Sequence, residues 1–358
     1  MADTHARLDV DNNSSILRFL WIGFYSTLLL IPTLTLFRFW ARTIVRRRLW
    51  SDTTIGGEPL EYTGTGVELF IGFLIAIFTV VLPLTGAILA IQFLLPPLYA
   101  LAAILAVYIF MFVLIGVAIF LVRRYQLSRT VWRGVRFEQQ GSALGFGFTV
   151  LGYYILTILT LGWFAPAMQL RIEKKLWSQT YFGDMQFSYD NSSAARTEPV
   201  YLSFILAYIG VIAFYAGMVG AMFALGMLQN PQMTPDMQDI LTLYGILFAG
   251  AFLLIFFVAW HQAAIIRQIT KSISLGDVRL QSRLGAWDII ELAITNTLLL
   301  IFTLGFGLVA AQMRVWRRIC KRLEVSGELE LARIHQAASR GPRSGEGMAD
   351  AFDLGGGI

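Results

Sequence analysis

Hydrophobic positions gather into seven runs, near residues 16–37, 67–95, 98–122, 142–169, 200–228, 239–266 and 286–313, with short polar stretches between them. Each run is long enough to approach or cross the roughly 30 Å hydrocarbon core of a bilayer, at about 1.5 Å per helical residue. Runs 67–95 and 98–122 are joined by Leu95-Pro96-Pro97, and runs 200–228 and 239–266 by Gln229-Asn230-Pro231 to Asp239. Both pairs read as transmembrane helical hairpins, which predicts four transmembrane helices. The other three runs share a motif. Thr33-Leu34-Thr35-Leu36-Phe37 returns as Thr160-Leu161-Gly162-Trp163-Phe164 and as Thr303-Leu304-Gly305-Phe306-Gly307, each time followed by a basic helix-like stretch and a Gly-centred polar segment.

Those polar segments alternate apolar residues around a glycine: Thr53 to Tyr62, Thr130 to Phe137, Thr180 to Phe187, Ser272 to Leu280 and, more loosely, Val325 to Leu329. Each predicts a short β-hairpin. An isolated two-stranded hairpin is marginal in water, so the five are expected to pair into a small sheet that caps the helices. The predicted fold is an all-α polytopic membrane protein with seven apolar segments and polar β-hairpins on the cytoplasmic side. Its expected organisation is a polar N-terminus (1–14), two repeat units (15–139 and 140–284), a partial third unit (285–335) and a disordered tail (336–358).

Charge adds orientation. No lysine or arginine lies between Arg48 and Arg123, or between Arg196 and Arg267, so both helical-hairpin tips are expected outside the cell. Basic clusters occupy the other connections: Arg46 to Arg48, Arg123 to Arg136, Arg171 to Lys175, Arg267 to Arg283 and Arg314 to Arg322. Runs 142–169 and 286–313 carry such a cluster at both ends, so a single crossing would translocate one of them. Entering, breaking at the Thr-Leu-Gly turn and returning would not. From the sequence both paths, three re-entrant segments or seven crossings, stay open. Pro32, Gly162, Pro166 and Gly305 are the candidate helix breaks.

After each break the basic residues recur at helical spacing opposite an apolar face, as in a helix lying at a membrane interface. Arg42, Arg46 and Arg47, then Arg171, Lys174 and Lys175, then Arg314, Arg317, Arg318 and Lys321 are therefore candidate contacts for anionic headgroups or a protein partner. Asp288 and Glu291, three residues apart, share a helix face that Asn296 continues inward. They are a candidate intramembrane polar site, with helix capping as the plainer alternative. Ala213, Gly217 and Ala221, four apart, predict a close helix–helix contact.

Little else suggests chemistry. The three histidines, His5, His261 and His335, sit far apart in sequence, and the single cysteine, Cys320, excludes a disulfide framework or a cysteine metal cluster. The Asp-rich residues 1–15 and the lack of a small-residue cleavage site make a removable signal peptide unexpected. The net charge of +5 gathers in basic clusters in the connections between apolar runs, which points away from nucleic acid. No enzymatic activity and no cofactor is expected.

From about residue 15 to 335 the chain resembles the YjgN-like family of bacterial inner-membrane proteins. The resemblance is carried by Thr33-Leu34, Phe37, Trp40-Ala41-Arg42, Arg46 to Arg48, Gly56 to Tyr62, Thr160-Leu161-Gly162 and Pro166. Departures are Thr35 in place of Gly, Phe39 and Val309 in place of Pro, and Ala167 in place of Trp. It implies a multi-pass location in the inner membrane without implying an activity. A non-enzymatic scaffold or regulatory module is the expected role, binding anionic lipid and either a protein partner or a second copy of itself. A transporter or channel built from internal repeats is the alternative.

Overall fold

The computed structural model describes residues 5–190, 192, 197–229 and 236–330, with backbone alone at 5–7 and 329–330. The predicted tail at 336–358 and the tip of the second helical hairpin lie outside the described residues.

Among the described residues four helices are long and apolar enough to cross a membrane: α3 (Gly66–Leu94), α4 (Pro97–Arg129), α7 (Val200–Ala224) and α8 (Met237–Ser272). They match the two predicted hairpins. The other three apolar runs are not single helices. Each carries a shorter helix to a turn, from which a second helix starts near the end of the run or just beyond it: α1 (Ile16–Leu30) and α2 (Arg38–Ser51), α5 (Ala143–Leu159) and α6 (Ala165–Trp177), α9 (Ala286–Phe302) and α10 (Leu308–Arg322).

The three turns are built alike. Thr33, Thr160 and Thr303 each donate their hydroxyl to the carbonyl four residues back (2.6, 2.8 and 2.6 Å). Each hydroxyl also accepts the backbone N–H four residues ahead, from Phe37, Phe164 and Gly307 (3.1, 3.1 and 2.9 Å). One side chain thus closes the outgoing helix and opens the returning one, using both its donor and an acceptor lone pair. The next two residues are left-handed: Leu34 and Thr35 (φ 47° and 68°), Leu161 and Gly162 (50° and 91°), Leu304 and Gly305 (49° and 89°). The N–H of Thr35, Gly162 or Gly305 reaches the carbonyl five residues back, the cap expected where a helix stops at a left-handed residue. Gly162 and Gly305 therefore break their helices. Pro32 and Pro166 do not. Pro32 only precedes the left-handed pair, and Pro166 sits in the first turn of α6, where its missing N–H costs nothing.

The strands connect everything. In chain order they are β1 (His5–Arg7), β2 (Val10–Asn12), β3 (Thr53–Ile55), β4 (Glu58–Tyr62), β5 (Thr130–Trp132), β6 (Val135–Gln139), β7 (Thr180–Phe182), β8 (Met185–Gln186), β9 (Ser188–Tyr189), β10 (Ile273–Leu275), β11 (Val278–Ser282), β12 (Leu323–Ser326) and β13 (Glu328–Glu330). One sheet runs β2 to β8 and another β9 to β12, every neighbour antiparallel and in sequence order, while β1 pairs with β13. Phe187 joins β8 to β9, Gly327 joins β12 to β13, and Leu8 with Asp9 joins β1 to β2, so the three sheets close into one circuit. Four of the five predicted hairpins are present. The fifth is not a hairpin: at Gly327 (φ 102°) the strand leaves β11 for β1, and a Cβ there would run into the Asp277 carbonyl and lie 3.1 Å from the Val278 Cα. The N-terminal segment, expected only to be polar, supplies the strand that closes the circuit.

Inside the ring lies the main core. Leu60, Tyr62, Trp132, Phe182, Ile273, Leu275 and Val278 from the strands meet Phe19, Leu49, Trp50 and Met313 from α1, α2 and α10, while Glu58, Glu61, Arg136 and Arg279 point outward. Thr53 pins strand to helix. Its hydroxyl donates to Leu49 O (2.7 Å) and accepts from Asn12 Nδ2 (2.8 Å) and Trp316 Nε1 (3.0 Å). Among the long helices, Gly116 of α4 faces Gly147 of α5, where a Cβ would lie 2.8 Å from the opposing Cα. Within the small-residue series of α7, Gly217 faces open space. The close approach on that hairpin is at Gly250, against the Phe214 ring.

Thr35 occupies the left-handed position that glycine takes in the other two turns, and a β-branched residue there is strained. Thr35→Gly is expected to stabilise the protein by about 1 kcal/mol, read as a raised apparent Tm in detergent. Gly162→Thr should lower it.

Candidate functional site

Each helix pair begins and ends at neighbouring strands, and the base of each is closed in the same way. The residue after the outgoing strand donates its N–H to a carbonyl at the end of the returning helix: Asn13 to Asp52 (3.0 Å), Thr63 to Arg129 (2.9 Å), Gln140 to Gln179 (2.9 Å), Asp190 to Ser272 (2.8 Å) and Arg283 to Arg322 (2.8 Å). Charged side chains reinforce these bases. Glu68 at the start of α3 takes Arg129 Nη2 (2.9 Å) and the Tyr125 hydroxyl (2.7 Å) from the end of α4. Glu198, just before α7, takes Arg267 Nε (2.8 Å) from α8. In the α5–α6 pair Lys175 donates to Thr149 Oγ1, and at the end of α2 Asp52 pairs with Arg48 (3.0 Å) and lies 3.8 Å from Arg18 of α1.

The fullest cluster is on α9 and α10. Asp288 caps α9 by accepting the Gly285 N–H (2.9 Å), and its other oxygen takes Arg318 Nη1 (2.6 Å) and Arg322 Nη2 (2.7 Å). Glu291 receives Arg318 through two parallel bonds (3.0 and 2.9 Å), the bidentate geometry that suits a guanidinium. The predicted polar site is thus split. Asp288 and Glu291 form an ion-pair cluster at the helix start, whereas Asn296 lies further along and reaches only the Ala311 carbonyl, at 3.4 Å.

The predicted basic surface is divided as well. Arg47, Arg171, Lys174 and Lys321 are exposed. Arg42 is half-buried. Arg46 is 5% exposed, because α2 packs on β4 and α3 and turns that face inward. Lys175 and Arg318 are committed to their own helix pairs. Arg314 donates to Thr295 Oγ1 (2.7 Å) and Arg317 to the Ser14 carbonyl (3.3 Å). Sequence reading missed the partners Arg322, Arg129 and Arg267. The signal was present: an acid at the start of an outgoing helix and an arginine at the end of its return.

A family model for bacterial proteins of unknown function, DUF898, matches residues 13–351. The chain belongs to this family. The YjgN-like resemblance pointed to the same place, and the matched region takes in all five helix pairs of this DUF898 chain. No curated protein and no solved structure matches it. Among the described residues no group of three or more His, Cys, Asp or Glu could hold a metal ion.

Burial alone would raise the Asp288 carboxyl, but the Gly285 N–H, Arg322 and Arg318 outweigh it and hold it below the usual carboxylate range. Arg318 does the same for Glu291. A depressed folded value adds stability that is complete above the unfolded value, about 4, and is lost as the pH falls through the folded one. Asp288→Asn should lower the apparent Tm by roughly 5 °C at pH 7. That gap from wild type should narrow as the pH falls below the unfolded value of about 4 and close once it has passed the depressed folded one, where both proteins carry a neutral group.

Proposed function

We propose that this chain is a multi-pass protein of the bacterial inner membrane and a non-enzymatic scaffold or regulatory module. Its strand ring stands in the cytoplasm, α3–α4 and α7–α8 cross the bilayer and return, and the three shorter pairs dip into the cytoplasmic leaflet. The observation that carries this reading is the ring. Every pair leaves and re-enters between adjacent strands, so both ends of all five lie on one face. Lengths agree with it. At 1.5 Å per residue α4 and α8 measure roughly 50 Å, enough for a bilayer and a stem to the ring, whereas α1, α5 and α9 measure roughly 22 to 26 Å.

The turn apices support it too. Leu34, Leu161 and Leu304 are 83%, 77% and 86% exposed, each at the outermost point of its turn. In water an exposed leucine forgoes about 2 kcal/mol of burial; in acyl chains it does not. Helix backbone broken at such depth must have its polar groups satisfied internally, and the threonine hydroxyls and left-handed caps do that. Charge sets the side, since the basic clusters lie at the ring and the α3–α4 tip has none. The carboxylates nearest the membrane are occupied by guanidinium or tyrosyl partners, which favours a structural module over a proton relay. A transporter of inverted repeats would need its units to face opposite ways, and strands of every unit here share one ring.

Single cysteines at Leu161 and Leu304, spin-labelled in reconstituted bilayers, should sit in the hydrocarbon region, accessible to oxygen and shielded from a water-soluble relaxation agent. Modification of either by an impermeant maleimide from the periplasmic face would mean that the short pairs cross. The native Cys320 does not interfere, because burial pushes its thiol up to about 12.

A further inference from the structure

Between the α10 basic face, the start of α9 and the β2 strand lies a cavity of about 450 Å³. Its charges divide unequally. Arg318 is neutralised by Asp288 and Glu291, through bonds of 2.6 to 3.0 Å. Arg314 and Arg317 hydrogen-bond to neutral partners, Thr295 Oγ1 and the Ser14 carbonyl, and Arg314 also stands in the field of Glu291. Lys321, one turn beyond Arg317, is exposed and makes no hydrogen bond or ion pair to the described residues. Against these three cations stands one further carboxylate, Asp11, exposed on the β2 wall.

An aqueous anion would explain the charge but not the surroundings. Ile16, the first residue of α1, lines the cavity, and from it runs an exposed apolar edge: Leu17 is 79% and Trp21 63% exposed. A cationic pocket that opens onto such an edge suits a molecule that is phosphate at one end and hydrocarbon at the other. Tryptophan there is placed as in the headgroup belt of membrane proteins.

We propose that this cavity is a specific phosphate site for an anionic phospholipid, with Arg314, Arg317 and Lys321 holding the headgroup phosphate and the α1 edge holding the acyl chains. This rests on the membrane reading above and narrows it from a general basic surface to one pocket. The ring makes the pocket, because β2 forms one wall and the α9–α10 base the other. Lipid bound there would tie the N-terminal strand to the last helix pair, at the seam where the circuit closes.

The test uses the full chain in detergent, titrated with short-chain phosphatidylglycerol, short-chain phosphatidylcholine or inorganic phosphate, with bound ligand counted by native mass spectrometry. Wild type is compared with Arg317→Gln/Lys321→Gln and with a control of equal charge loss, Lys174→Gln/Arg279→Gln, at exposed positions away from the cavity. The expected result is one phosphatidylglycerol bound in preference to phosphatidylcholine, weakened at least tenfold by the cavity pair and unchanged by the control. Equal loss in both variants would reduce the site to diffuse attraction and overturn the proposal. So would saturation by inorganic phosphate with no gain from the lipid, which would assign the pocket to a free anion. Alkaline-washed membranes separate this failure from that of the underlying reading: if the chain leaves the membrane in that wash, the membrane assignment itself falls.

Discussion

Antiparallel pairing between strands that follow one another in sequence is the constraint on which the rest depends. When β2 pairs with β3, β4 with β5, β6 with β7, β9 with β10 and β11 with β12, the chain between each pair has no freedom to end elsewhere. Whatever it does in between, it must come back. Each apolar run must then reverse, either as two long helices joined at a tip or as two shorter helices joined by a threonine-centred turn.

Energetically the ring and the helices support one another. Strands of two to five residues would not persist alone, and they are held by a core to which α1, α2 and α10 contribute as much as the sheet does. Thr53 serves strand, helix and the Trp316 indole at once, and Trp316 stacks on Trp50 at 5.5 Å between ring centroids. The carboxylate–guanidinium pairs then fix the bases, where helix ends would otherwise present unsatisfied groups near a low-dielectric phase. The result is a floor of paired strands from which apolar helices project.

Much of this was legible in the sequence because hydrophobicity and turn chemistry are local. Long apolar runs announce the four long helices, and Gly56, Gly134, Gly183 and Gly276 announce the hairpins. The Thr-Leu-Gly motif marks its turns even in the first copy, where Thr35 adopts the left-handed conformation without being glycine. What escaped was non-local. Strand β2 is three residues among aspartates and asparagines, and only its pairing with β3 gives it meaning. Gly327 looks like a hairpin turn and is a strand exchanging partners, because β1 lies more than 300 residues away in sequence. Residue type also misled where packing decides. Gly217, at the middle of the Ala213, Gly217, Ala221 series, has the spacing of a close contact and faces open space, while Arg46, on a helix that reads as basic, is turned into the protein.

The central claim is that all five helix pairs start and end on one side of the membrane. It is tested most directly by placing single cysteines at Glu58, Asp184 and Asp277, exposed residues at three of the four hairpin turns, and probing intact cells and inverted vesicles with an impermeant maleimide. The account predicts that all three react only in inverted vesicles, from the cytoplasmic face. Labelling of Asp184→Cys from the side opposite to Glu58→Cys would break the ring apart and contradict it.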